Sequence, residues 1–157
     1  MYWVAGCIVP AGAAVEAATF VSNAKGESLT HQFFALAIPD ETGAEEAAVV
    51  ATSKDDTSTA WEANSDKTLV FKSSEGGSGS WIAQEDTPVY VGVCQVGTTP
   101  ATIRGISGSG QINGAGKGFV GASAAPAGLT TPGSMAGVVA LSTSAITPWA
   151  FISGLNP

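Results

Sequence analysis

Apolar positions along the chain fall into short runs broken by Gly, Pro, Ser, Thr, Asn and Asp. No run keeps the spacing of an amphipathic helix. The strongest is Thr87–Pro100, TPVYVGVCQVGTTP. Val89, Val91 and Val93 fall on one side of a pleat, and Tyr90, Gly92, Cys94 and Val96 on the other. Both sides are apolar, the pattern of a strand covered on both faces. Such a strand needs neighbours along both edges. Ala101–Ile106 follows a Thr-Thr-Pro break and is predicted to fold back on it as a hairpin.

The remaining runs read the same way. Tyr2–Val9 is a first strand closed by Pro10-Ala11-Gly12. Ala14–Ser22 alternates, with Val15, Ala17, Thr19 and Val21 on one side and Phe20 on the other. Asn23–Ser28 is a polar turn, Gln32–Ile38 an apolar strand, and Pro39–Gly43 a turn. Glu45–Ser53 is rich in Ala, but Val49, Val50 and Thr52 favour a strand over a helix. Asp55–Asn64 is a polar connection holding Trp61. Lys67–Lys72, Phe119–Val120, Met135–Leu141 and Thr147–Ser153 complete the strands. The expectation is an all-β, two-sheet antiparallel β-sandwich with jelly-roll connectivity. It forms one domain over residues 1–157, with flexible loops near 73–80 and 107–133.

Composition supports this class and removes others. With 6 Lys and Arg against 13 Asp and Glu, the chain carries a net charge of −7. It has no basic footprint for nucleic acid or an anionic membrane, so neither partner is expected. The opening MYWVAGCIVPAG lacks the basic start and long apolar stretch of a signal peptide or anchor, and is expected to be a strand. Cys7 and Cys94 both lie in apolar strand surroundings; two buried thiols are expected, with a disulfide between them as the alternative.

Candidate chemistry is sparse. Gly114–Gly118 is glycine-rich around Lys117. However, Gln111 stands where a phosphate loop needs Gly, and Gly118 where it needs Ser or Thr. Asp55, Asp56 and Asp66, and likewise Asp40, Glu41, Glu45 and Glu46, offer oxygens for a hard cation. They lack calcium-loop spacing and read as turn carboxylates. The same holds for carboxylate pairs of the kind that hydrolyse glycosides. His31 is the one histidine, and no G-x-S-x-G elbow accompanies it. No cofactor, metal or catalytic residue is expected. Trp61 and Trp81 lie beside polar loops and, with Tyr90, Tyr2 and Trp3, are the candidates for protein or glycan contact, with core or rim packing the favoured reading of the two tryptophans. Trp149 reads as core.

The order of segments resembles a family of β-sandwich domains in structural proteins of tailed bacteriophages. The matching pieces are VPAGAAVEAATFVSNA, QFFALAIPDETG, TSKDDTSTAWEANSDKTLVF, TPVYVGVCQVGTTPATIRGIS and the closing TPWAFISG. Within them, Asp56–Trp61, Tyr90–Gly92 with Thr98–Pro100, and Pro148–Ala150 carry the likeness. It implies a capsid decoration, head-fibre or tail-fibre module. The chain reads as the module alone, with a Gly/Ser insertion at Ser74–Ser80.

The resulting expectation is a non-enzymatic virion protein, a capsid decoration (cement) protein on the virion surface. Its partner would be the major capsid protein, and its state a homo-oligomer, a trimer by preference. The Met1–Val9 strand and the Gly121–Gly133 loop would meet neighbours, with Met1–Val9 as an internal strand the equal alternative. The alternative is a tail-fibre or baseplate module that binds a host-surface carbohydrate, with Trp61, Trp81 and Tyr90 stacking on the sugar.

Overall fold

The computed structural model describes residues 2–40, 46–71, 80–107, 118–121, 138–143, 146–148 and 150–154. Among these residues there is no helix, and every paired strand is antiparallel. In chain order the strands are β1 (Tyr2–Val9), β2 (Ala14–Val15), β3 (Ala17–Ala24), β4 (Glu27–Pro39), β5 (Glu46–Thr52), β6 (Asp66–Val70) and β7 (Trp81–Ile82). They continue with β8 (Thr87–Thr99), β9 (Thr102–Ile103), β10 (Gly105–Ser107), β11 (Gly118–Gly121), β12 (Val138–Thr143), β13 (Ile146–Pro148) and β14 (Ala150–Ser153).

As its two apolar faces require, β8 is a central strand, flanked by β4 and β1. The ladder runs on around a closed ring in the order β1-β11-β12-β5-β4-β8. A second sheet, β14-β3-β6, with β9 on the far end of β3, contributes to the larger core. Val89, Val91 and Val93 of β8 and Phe34 and Leu36 of β4 meet Ala18 and Phe20 of β3 there. The Phe20 and Phe34 rings pack edge to face with centroids 4.9 Å apart. The opposite face of β4 and β8 buries Phe33, Ala35, Ala37 and Cys94 with Ala47 of β5. Period-two alternation in two adjacent strands therefore supplies two cores, one on each side.

The turn after β1 has a simple cause. Ala13 N–H donates to the Pro10 carbonyl at 3.1 Å, and Gly12 sits at φ +81°. That left-handed residue is what a type II turn requires at its third position.

Three expectations are corrected. Ala101–Ile106 does not form a hairpin with β8. The Gln95 carboxamide takes both backbone groups of Ala101, at 2.8 and 3.1 Å, and β9 then pairs with β3. A side chain thus replaces the ladder and redirects the chain. Second, Ala14–Ser22 is two strands, and the buried side of β3 is Ala18, Phe20 and Ser22. Glu16 breaks the alternation: its N–H donates to Ser153 and its carbonyl accepts from Phe71, so Ala17 and Ala18 are both buried. Burying the Phe20 ring outweighs burying Thr19 and Val21.

Third, Thr147–Ser153 is β13 and β14, which pair with β10 and β3 respectively. Of the two readings of the cysteines, the thiol reading holds for Cys94, and a bond to Cys7 is excluded. Ile8 pairs with Pro88, so Cys7 lies near Val89, roughly 16 Å along the strand from Cys94 at ~3.3 Å per residue. Strand was the right choice for Glu45–Ser53, where β5 forms. Most of the predicted loops near 73–80 and 107–133 lies outside the described residues, as does Trp149.

Candidate docking surface

The outward side of the β14-β3-β6 sheet is a surface without charge over most of its width. Register places Phe151, Thr19 and Thr68 in one row, and Ser153, Ala17 and Val70 in the next. Val21 and Asp66 form a third row at the margin. Phe151 is 61% exposed and Val70 46%, and the Thr19 and Thr68 hydroxyls hydrogen-bond to each other at 2.7 Å. Large apolar side chains exposed on a sheet side whose charge, Asp66, lies at its margin are the composition of a contact face. The inward side of the same strands carries Ala18, Phe20 and Lys67; of the outward rows only Ala17, between Ser153 and Val70, is buried.

The segment between β5 and β6 is a strap fastened at many points. Ser53 Oγ accepts from Phe34 N–H, and the Asp56 N–H donates to the Gln32 carbonyl. Asp55 takes the Gln32 N–H on one oxygen at 2.7 Å and meets His31 Nδ1 on the other at 2.6 Å. Asp56 binds the Lys67 ammonium at 2.8 Å, and Lys67 also donates to the Thr59 carbonyl. Burial pulls the Asp56 carboxyl upward, but Lys67, helped by Ser58 and Thr59, outweighs it and holds the group below its ordinary value. Asp55 and Asp56, read as solvated turn carboxylates, are instead structural anchors.

For Trp61 the core reading holds and the contact reading fails. It is 1% exposed, packs against Phe34 at 5.9 Å, and donates its indole N–H to the Ser65 carbonyl. A ring in that position belongs to the core and is not available to stack on a sugar. Trp81, paired with Val15, and Tyr90, opposite Ala37, are half-buried against the two cores. Tyr2 and Trp3 pair with Val93 and Gly92, and their side chains lie outside the described residues. Of the glycine-rich stretch, only Gly118 is described, at the start of β11.

His31 on Asp55 is the rear half of a nucleophile–His–Asp arrangement. The same strand face continues with Phe33, and Cys94 lies opposite Phe33. Burial pushes the Cys94 thiol up to about 11, so it is a poor nucleophile where it stands. Among the described residues no cluster of His, Cys, Asp or Glu is arranged to hold a metal, and no helix is long and apolar enough to cross a membrane. The exposure of Phe151 and Val70 escaped the sequence reading, because β14 and β6 look like any alternating strand until their inward partners are known. No family model, curated protein or solved structure matches the chain.

Proposed function

We propose that the chain is a non-enzymatic structural protein of a tailed-phage virion, a capsid decoration protein that docks by the outward side of β14-β3-β6. The observation that carries the docking half of this reading is the uncharged face with Phe151 and Val70 standing out of it. The resemblance of the segment order to phage β-sandwich modules supplies the setting. The proposal includes the layered description: a jelly-roll-type sandwich with the β4–β8 wall as one layer and β14-β3-β6 as the other.

The reading is supported by where the reactive groups are spent. Asp55, Asp56, Lys67 and His31 fasten a loop, and Cys94 is held as a buried thiol. A face three short strands wide makes a weak contact by itself, so tight binding would come from repetition over a symmetric shell, with the chain as a homo-oligomer. Sugar binding on a fibre is the less supported reading, since one of the two tryptophans the sequence offers for it, Trp61, is in the core.

The test is position on the particle. Antibody raised against the chain and imaged on intact virions should label the head lattice. Label at the tail tip alone, or retention on a glycan column that Trp81→Ala abolishes, would overturn the decoration reading.

A further inference from the structure

The β6 strand lies at a sheet edge: among the described residues it pairs with β3 alone. Its sequence from Thr68 through Phe71, Thr-Leu-Val-Phe, is uncharged, rich in strand-forming residues and free of Pro. An edge of that composition is a template for pairing with another chain. One residue contradicts the pattern. Lys67 stands in the row of Phe20 on the inward side, only 8% exposed, where a core residue is expected. Its ammonium reaches out of the core to Asp56 at 2.8 Å and to the Thr59 carbonyl at 2.8 Å.

We propose that Lys67 is an edge guard, an inward-pointing charge that stops β6 from pairing with β6 of a second copy of this chain. The physical reason lies in where the charge ends. Asp56 keeps a side-chain exposure of 20%, so the ion pair that joins the strap to β6 retains some water. A strand added to β6 would run past that position and strip the remaining water from both ions, which low-dielectric attraction does not fully offset. Without the charge, no ion remains within Lys67–Val70 to oppose pairing, and an inward Met in place of Lys67 would extend the buried row of Phe20. The inference stands whether or not the outward face docks on a capsid, because it concerns the edge and not the face.

The test replaces Lys67 and follows self-association by sedimentation velocity as concentration is raised, with hydrogen exchange to locate the contact. Lys67→Met should raise the weight-average mass at least about twofold over the unaltered chain at the same concentration, the result expected for pairing of edges. Amides of residues 66–70 should gain protection as it does so. Lys67→Arg, which keeps the charge, should sediment like the unaltered chain. Should Lys67→Met alone fail to fold because Asp56 is stranded, Lys67→Met with Asp56→Asn removes both charges and is held to the same expectation. Unchanged sedimentation of a folded charge-free variant would overturn the proposal. So would association that leaves residues 66–70 unprotected.

Discussion

At the scale of single residues, buried polar groups divide into those that are satisfied and one that is not. Ser22 and Ser53 are buried and spend their hydroxyls on backbone partners. Gln32 is fully buried, and neither atom of its carboxamide has a hydrogen-bond partner among the described residues. An orphaned amide costs about 1–3 kcal/mol, so Gln32→Leu should raise unfolding stability by about 1 kcal/mol in urea titration; a loss of stability would show that the amide is satisfied in solution. The opposite holds for Trp61, whose ring closes the core over Phe34. Trp61→Ala should cost about 3–5 kcal/mol in the same titration.

Asp56 gives a pH dependence whose sign follows from its partner. Its carboxyl is held below the ordinary 3.8, so it binds protons less readily folded than unfolded. The stability it contributes is complete above that ordinary value and is lost as pH falls through the lower, folded value. In Asp56→Asn the acid-dependent part should shrink. The variant should also lose stability at neutral pH, toward the lower end of the ~3–5 kcal/mol for breaking a buried pair, since Asp56 is partly exposed. Urea unfolding from neutral pH down through the acid range checks both.

At the scale of elements, β8 was legible because both its alternating sides are apolar, and the need for a neighbour on each edge followed from that; that these are β1 and β4 did not. Strand pairing was less legible. Nothing in Ala101–Ile106 announces that Gln95 will occupy Ala101 and send β9 to β3, since a side chain doing the work of a ladder leaves no periodic signal. Gln95→Ala should free that segment, seen as faster hydrogen exchange at Ala101–Arg104 with β8 itself still protected. Another close approach fixes the same corner. A Cβ built on Gly26 would come within 2.8 Å of the Ala101 backbone nitrogen, so only Gly fits there without movement. The contact reading of Trp61 failed for a related reason. A polar segment was taken to be an exposed one, whereas Asp55, Asp56, Ser65 and Lys67 use its polarity to pin a tryptophan into the core.

At the scale of the whole molecule, an acidic chain presents one sheet side with almost no charge, and Phe151 is its largest exposed group. A contact made through such a surface should be nearly insensitive to salt, because screening acts on charges that are not there. The most direct measurement is cosedimentation of the purified chain with tailed-phage heads lacking their decoration protein, at low and high salt, beside the Phe151→Asp variant. The account predicts that the unaltered chain pellets with heads equally at both salt concentrations. Phe151→Asp should bind at least about tenfold more weakly, the loss expected when one large apolar side chain no longer enters a contact. Binding that Phe151→Asp leaves intact, or that high salt abolishes, would contradict it.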